Sequence, residues 1–359
     1  MTRIRLADPG AVAARWRAEA LAGMAKIAES GAFVGGPAVA EAERLAATIL
    51  GRRGAVGVAS GTDALAIALQ AAGLRPGELV VVPALTFFAT VGAVHLAGGV
   101  PYVVDVDDRG LLDPDEAAKA FEEGARFAVP VHLFGNRVAT LPGGATLVHD
   151  LAQMAGAPPF ADVAIGGLSA YPTKVWPAPG DGGFVVGDDL DALQRARHLG
   201  SHGHVGSHHH HRVGDHIGRN SRLDALAAAW LTAAADHLPD LVRRRQAIAA
   251  TYDAALAPSL GTLVRDVGNP VPVYVVLAQG RFERDRLAAH LDACGVDVGP
   301  LYPMPLHAQP ALAGRCRASA TPRAEALCPR WLAVPCHPGL RDDEVGRVAD
   351  ALSSFPRPR

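Results

Sequence analysis

A lysine follows a predicted β-strand near residue 170, and its surroundings suit a nucleophilic amine. The segment SAYPTK carries Lys174 after hydroxyl-bearing residues and before the glycine-containing stretch PAPGDGG. A lysine amine can form a Schiff base with a carbonyl cofactor, which the guanidinium of arginine cannot do. Because lysine is scarce in this chain and arginine is frequent, a lysine retained here favours that chemistry. A solvated loop lysine is the alternative.

An aspartate ends another apolar run, TLVHD, and a glutamine follows it by three residues. These are Asp150 and Gln153. A carboxylate is costly to bury unless it meets a cation or hydrogen-bond donors. The protonated ring nitrogen of a cofactor would meet that need, and capping of a following helix is the alternative.

Two more strand ends carry residues suited to a phosphate and to a planar ring. In ASGTDALAIALQ, Gly61 would let backbone amides approach an anion at a helix start, and Thr62 adds a hydroxyl. An ordinary N-cap, with Thr62 as the capping residue, is the alternative. In LVVVPALTFF, Phe87 lies just past a strand, where a planar cofactor could stack on it; core packing is the alternative.

The predicted elements would bring these strand ends together. From residue 55 onward, short β-branched runs alternate with Ala- and Leu-rich stretches, as expected for a mostly parallel α/β sheet with crossover helices. Ligands bind beyond the carboxyl ends of the strands in such sheets. Seven strand candidates precede residue 190, and a helical stretch at 223–256, broken at Pro239, would connect them to a smaller C-terminal α+β part.

Composition excludes several classes of protein. The chain has 359 residues, of which 49% are hydrophobic and 19% charged, so we expect a large folded core. Its 34 basic residues against 36 acidic ones give a net charge of −2, which disfavours nucleic-acid binding. The four cysteines form no C-x-x-C pair, and the opening MTRIRLADPG is no secretory signal. We expect a cytoplasmic protein with no membrane span.

Seven histidines lie between residues 202 and 216: His202, His204, His208, His209, His210, His211 and His216. Metal ligands usually come with fixed spacing and supporting carboxylates, and only Asp215 is nearby. We therefore expect an exposed loop near a subunit interface and no metal.

Ten segments, in order along the chain, resemble the DegT/StrS-type sugar aminotransferases, a branch of the fold-type I pyridoxal-phosphate enzymes. They are GAFVGGPAVAEAE, ASGTDALAIAL, VVPALTFFATVGAV, GGVPYVVDVD, VPVHLFG, HDLAQMAGA, SAYPTKVWPAPGDGG, HGH, GRNSRLDALAAAWL and LYPMPLHAQ. The resemblance implies a fold-type I aminotransferase with a large, mixed, mostly parallel seven-stranded sheet domain. It also implies an N-terminal arm at 1–30, a large cofactor-binding domain at 31–238 and a small α+β domain at 239–359.

The resemblance also assigns roles around pyridoxal 5'-phosphate. Lys174 would form the Schiff base, Asp150 would pair with the pyridine nitrogen and Gln153 would lie near the phenolic oxygen, while Phe87 would stack on the ring. The phosphate would be held by Gly61, Thr62 and Ser169. Asn220 would reach across to the partner's phosphate, which implies a homodimer with shared active sites. Possible substrate contacts are Tyr171, Tyr302 and His307.

By the same resemblance, the chain would transfer an amino group from an amino acid, with L-glutamate as the expected donor, in ping-pong fashion. The acceptor would be a keto group on a nucleotide-linked sugar or a cyclitol of a secondary-metabolite or cell-surface glycan pathway. A pyridoxal-phosphate sugar dehydratase is one alternative, although retention of Lys174 favours transamination. A non-catalytic partner protein with the same fold is another. A nicotinamide-dependent oxidoreductase would need a glycine fingerprint that is absent.

Three departures from the family pattern stand out. The stretch between Gly135 and Ala145 is too short for the usual crossover helix. His149 replaces an acidic residue before Asp150, and Leu151 replaces a small one. The loop that usually reads H-Y-P has a leucine before Tyr302.

Overall fold

The computed structural model describes residues 2–160, 163–205 and 213–356. The first half of the chain alternates strands and helices as the sequence predicts. Its helices are α1 (Pro9–Ala13), α2 (Arg17–Ser30), α3 (Gly36–Leu50), α4 (Gly61–Ala71), α5 (Ala89–Leu96), α6 (Pro114–Glu122) and α7 (Leu190–Gly200). Its strands are β1 (Gly54–Val58), β2 (Leu79–Pro83), β3 (Val100–Val104), β4 (Phe127–Ala128), β5 (Thr146–Asp150), β6 (Ile165–Ser169) and β7 (Gly183–Gly187).

The remaining elements form the C-terminal part. They are α8 (Ala225–Ala235), α9 (Leu238–Ala255), β8 (Gly261–Thr262), β9 (Tyr274–Leu277), α10 (Arg281–Ala293), β10 (Arg317–Ala318), α11 (Pro322–Leu327), β11 (Trp331–Val334) and α12 (Asp342–Ser353). Pro239 lies in the first turn of α9, where its missing N–H costs no helical bond, so it marks a helix start. Among the described helices, none is both long and apolar enough to cross a membrane.

The main sheet is mixed and mostly parallel, in the order β1-β7-β6-β5-β4-β2-β3-β10. Only β7 runs antiparallel to its neighbours, β1 and β6. The seven predicted strands are all present, and β10 adds an eighth, parallel to β3. The carboxyl ends of β2, β5 and β6 therefore lie along one edge, which is the condition for their terminal residues to share a site.

The crossover from β4 to β5 contains no α-helix, as its length predicts. Only a short 3-10 turn, Leu133–Gly135, interrupts residues 129–145. Leu141 and Val138 pack there against Val81 and Tyr102 of the sheet and so cover part of the face that a helix would cover.

The C-terminal part has its own antiparallel sheet, β11-β9-β8, and meets the main sheet through a tryptophan. Trp331 of β11 is fully buried and belongs to the same apolar cluster as β2 and α4. Gly110 makes this contact possible, because a Cβ at Gly110 would lie 2.5 Å from Cη2 of Trp331. The two parts of the chain thus share a close-packed joint.

We predict that Gly110→Ala destabilises the protein by about 1–3 kcal/mol through overpacking against Trp331. Gly124→Ala is the matched control, because both glycines have positive φ, 77° and 100°, but nothing lies within 4 Å of a Cβ at Gly124. Urea unfolding of both variants measures the difference. Equal losses of unfolding free energy would mean that the backbone conformation alone, and not the joint, sets the cost.

Candidate active site

Asp150 ends β5 as a buried carboxylate, 6% exposed, and it is hydrogen bonded on both oxygens. Its Oδ1 accepts the backbone N–H of Ala152 at 3.1 Å, and its Oδ2 accepts the hydroxyl of Thr90 at 3.0 Å. Burial raises the pKa of Asp150, while these bonds and the charge of Lys174 oppose the shift. No helix follows within residues 151–160, so the helix-capping alternative for Asp150 is wrong.

The sequence did not identify the two threonines behind Asp150. Thr90 lies in α5 and Thr86 in the turn before it, both almost fully buried, with their hydroxyl oxygens 3.1 Å apart. Since Thr90 donates to Asp150, it accepts from Thr86, and the chain of hydrogen bonds has one direction. The available signal was two hydroxyl residues four positions apart in an otherwise apolar segment.

Lys174 lies in the turn after β6, where its backbone N–H donates to the carbonyl of Tyr171 at 2.8 Å. Its side chain is half-buried, so the solvated-lysine alternative does not describe it. Burial lowers the pKa of Lys174, and the charge of Asp150 opposes that shift. The net lowering increases the fraction of neutral, nucleophilic amine at a given pH.

The start of α4 touches the end of β6, as a shared phosphate site requires. Gly61 is the first residue of α4, and a Cβ there would lie 2.5 Å from Cβ of Ser169. The N-cap is Ser60, whose Oγ accepts the N–H of Asp63 at 3.1 Å. The alternative that made Thr62 the capping residue is therefore wrong; Thr62 lies within the first turn, where helix N–H groups favour an anion.

Phe87 and Gln153 lie at the same edge of the sheet. Phe87, four residues after the end of β2, is 66% exposed, so it is not a core residue and its ring is accessible. The side-chain Oε1 of Gln153 accepts the backbone N–H of Phe134. That leaves the amide NH2 of Gln153 as a donor, the polarity that a phenolic oxygen requires.

The three candidate substrate contacts have different surroundings. Tyr302 packs against Phe134 and Trp331, with ring centroids 6.1 and 6.3 Å away, and burial and the charge of Asp150 raise its pKa. His307 follows Leu306, whose N–H donates to the carbonyl of Ala84 beside β2. Tyr171 is half-exposed after β6. Tyr302 therefore packs beside Phe134, whose N–H donates to Gln153.

Asn220 lies near the start of α4, but its side chain faces outward. The side chains of its neighbours Arg219 and Ser221 both contact Asp63 of α4, at 3.4 and 2.7 Å. Asn220 pairs with Ser201 in a β-bridge, and successive side chains of extended backbone point to opposite sides. Its side chain is exposed accordingly.

The histidine-rich segment is partly described. His208–His211 lie outside the described residues, whereas the rings of His202 and His204 are 5.7 Å apart. The described residues contain no group of three or more His, Cys, Asp or Glu side chains arranged to hold a metal.

Comparison with known proteins agrees with this geometry. The model of the DegT/DnrJ/EryC1/StrS aminotransferase family matches residues 15–353. A dTDP-3-amino-3,4,6-trideoxy-alpha-D-glucose transaminase of Streptomyces venezuelae is 35% identical over 369 aligned positions, covering 98% of this chain and 96% of that protein. A pleiotropic regulatory protein of Geobacillus stearothermophilus is 32% identical over 350 positions, covering 92% and 93%.

Among solved structures, S. venezuelae DesV in complex with a ketimine intermediate superposes with a TM-score of 0.90 at 33% identity, covering 99% of each chain. The predicted fold-type I aminotransferase architecture and the enzyme class are thereby confirmed. The chain belongs to the DegT/DnrJ/EryC1/StrS aminotransferase family.

Proposed function

We propose that this enzyme moves an amino group from an amino acid, L-glutamate, to a keto group of a nucleotide-linked sugar or cyclitol, with pyridoxal 5'-phosphate as its cofactor. The observation that carries the proposal is the placement of Lys174, in the turn after β6, and of Asp150, at the end of β5, at the same edge of the sheet. Burial lowers the pKa of the amine and raises the pKa of the acid, and each side chain feels the charge of the other. Such opposed shifts at neighbouring strand ends are typical of acid–base sites.

The residues present fit the cofactor at each of its functional groups. The touching ends of α4 and β6, with Thr62 and Ser169, suit the phosphate, and Asp150 suits a protonated ring nitrogen. The exposed ring of Phe87 suits the ring face, and the amide NH2 of Gln153 suits the phenolic oxygen. Each match rests on a contact or an exposure of this chain.

When bound, pyridoxal 5'-phosphate supplies an aldehyde carbon and an electron-accepting ring, through which two substrates exchange an amino group. Asp150 would hold a proton on the ring nitrogen, because its buried carboxylate is oriented by Thr90 and by the N–H of Ala152. Lys174 would hold the cofactor through its neutral amine and, when free, would accept and return the proton that moves during the exchange of amino groups. Its lowered pKa suits both tasks.

The acceptor class is supported by the S. venezuelae relative, whose name specifies a dTDP-linked amino sugar. Tyr302 is the candidate contact that we favour for the acceptor, because its ring packs against Phe134, whose N–H donates to Gln153. The alternative of a non-catalytic regulator is favoured by one observation, the name of the G. stearothermophilus relative. The presence of both Lys174 and Asp150 at one edge of the sheet favours catalysis.

We infer that the active form is a homodimer, with Asn220 completing the phosphate site of the partner. Asn220 points away from its own α4, and apolar side chains near it are exposed, Val34 by 61% and Ile217 by 93%. Contiguous exposed apolar patches mark interfaces, and we propose that these two side chains belong to one. We place the enzyme in the cytoplasm, a proposal that its free cysteines, with Cys294 exposed, support.

We predict that Thr90→Val weakens pyridoxal 5'-phosphate binding about tenfold, because Asp150 loses a charge-assisted donor and its pKa rises further. Titration of the apoenzyme, followed by absorbance, measures the dissociation constant. Thr251→Val is the matched control, because the Thr251 hydroxyl is exposed and bonds only to Ala247 of its own helix. Equal dissociation constants for the two variants would mean that Thr90 does not contribute to cofactor binding.

For the function itself, the decisive substitution is Lys174→Ala, with Lys26→Ala as control. We expect wild type and Lys26→Ala to acquire a visible band with pyridoxal 5'-phosphate, to be labelled by borohydride at Lys174, and to lose the band on addition of L-glutamate. Lys174→Ala should acquire neither the covalent label nor the response to glutamate, because the amine that would form the Schiff base is removed. Absorption spectra and peptide mass spectrometry provide the readouts.

Wild-type protein that binds no pyridoxal 5'-phosphate, or binds it identically without Lys174, would contradict the aminotransferase proposal. The regulatory alternative would then be preferred.

The shared site is tested by mixing Lys174→Ala subunits with Asn220→Ala subunits after reversible dissociation. If Asn220 serves the partner, each mixed dimer contains one intact site, and activity should recover to about a quarter of wild type at random assembly. Half-transamination of L-glutamate measures it. If Asn220 acts within its own subunit, no intact site forms, and activity stays at the level of the unmixed variants.

A further inference from the structure

A pair of buried histidines lies behind Asp150, outside the residues that would touch the cofactor. His132 and His149 are 2% and 7% exposed, and His132 Nε2 lies 3.0 Å from His149 Nδ1. Their rings are nearly parallel, 5° apart, with Phe160 against both. Because His149 precedes Asp150 in β5, the two side chains point to opposite faces of the sheet.

The backbone fixes the direction of the hydrogen bond between the two rings. The N–H of Val138 donates to Nδ1 of His132 at 3.2 Å, so this nitrogen carries a lone pair. The ring proton of His132 is therefore on Nε2, which donates to Nδ1 of His149. A second ring proton on His132 would have to bind Nδ1, where it would face the N–H of Val138 and abolish this hydrogen bond.

The surroundings also keep His132 uncharged. Burial, the neighbouring His149 and the guanidinium of Arg137 hold the pKa of His132 well below its usual value. Arg137 stacks on Phe160, 4.9 Å from the ring centroid, and so stays close to the pair. The backbone donor and the electrostatics lead to the same protonation state.

This hydrogen bond joins two segments whose strand pairing is short. The ladder between β4 and β5 contains only Phe127–Thr146 and Ala128–Leu147. Beyond it, the N–H of His132 donates to the carbonyl of Asp150 at 3.2 Å, and the N–H of Asp150 donates to the carbonyl of Pro130 at 3.0 Å. The ring pair is the side-chain link across this same junction, so the backbone of Asp150 is held by the segment that His132 anchors.

We propose that His132 and His149 form an uncharged hydrogen-bonded pair of fixed direction that positions Asp150 against the pyridine nitrogen, which makes His149 a positioning residue for the aminotransferase reaction. The inference rests on the proposed function for its cofactor. The proposed pair requires a hydrogen-bond acceptor at the position of His149 Nδ1. A side chain that supplies this acceptor preserves the position of Asp150, and an apolar one does not.

The experiment compares His149→Leu with His149→Asn. Leucine removes the acceptor and leaves the buried N–H of His132 without it, whereas asparagine Oδ1 lies at about the position of His Nδ1 and accepts the same bond. We expect the dissociation constant for pyridoxal 5'-phosphate to rise roughly tenfold or more in His149→Leu and to stay within about twofold of wild type in His149→Asn. Thermal unfolding of the three apoproteins is measured in parallel.

Two results of this comparison would overturn the proposal. The first is a His149→Leu protein that binds the cofactor as wild type does and only unfolds at a lower temperature, since the pair would then be structural alone. The second is a His149→Asn protein as weak in binding as His149→Leu, since the acceptor would then be irrelevant.

A third measurement separates this proposal from the proposed function. In the wild-type apoprotein, nitrogen NMR of the histidine rings should show His132 neutral with its proton on Nε2, and any other state overturns the pair. Wild type that binds no pyridoxal 5'-phosphate contradicts the proposed function instead, and it does so before any variant is compared.

Discussion

A carboxylate buried at the end of a strand is the constraint on which the rest of this site depends. An uncompensated charge in such a place costs several kcal/mol, so the fold must surround Asp150 with donors or with a cation. Thr90 of α5 and the amide of Ala152 supply two donors, and Thr86 fixes the direction of the first. Among the described residues, the carboxylate of Asp150 still lacks a positively charged partner, which a bound ligand could supply.

The order of the strands determines where that charge can come from. Because β6 lies beside β5, the turn after β6 brings Lys174 to the same edge as Asp150, and the start of α4 touches the end of β6 at Ser169. A ligand in this cleft therefore meets an amine, a carboxylate and a helix N-terminus from three separate elements. A molecule with an aldehyde, a protonated ring nitrogen and a phosphate satisfies all three.

Much of this arrangement could be predicted from sequence because it depends on patterns within short segments. Seven of the eight strands of the main sheet, and the missing crossover helix, followed from alternation and length. Strand β10 did not, because Arg317–Ala318 is too short to show a period of two. The alternative in which Thr62 caps α4 was wrong. The N-cap residue needs an extended backbone, and Ser60 has that conformation.

Contacts between residues far apart in the chain could not be predicted from the sequence. The bond from Thr90 to Asp150 joins residues 60 positions apart, and the ring pair of His132 and His149 depends on a short β4 ladder that no local pattern specifies. The outward direction of Asn220 follows from its neighbours' contacts with Asp63, again a tertiary property. Sequence therefore identified candidate groups, while the fold determined which residues support them.

The shortened crossover shows how such support can be replaced. Without a helix between β4 and β5, the segment after His132 has little regular structure of its own, yet Phe134 must present its N–H to Gln153. Asp266, in the loop after β8, accepts the N–H of Arg137 at 2.7 Å and donates its own N–H to Asn136 at 3.0 Å. The C-terminal part thus holds the segment that a helix would otherwise hold. It follows that the position of Gln153 at the cleft depends on contacts made outside the main sheet, and that the two parts of the chain are coupled at the site as well as at Trp331.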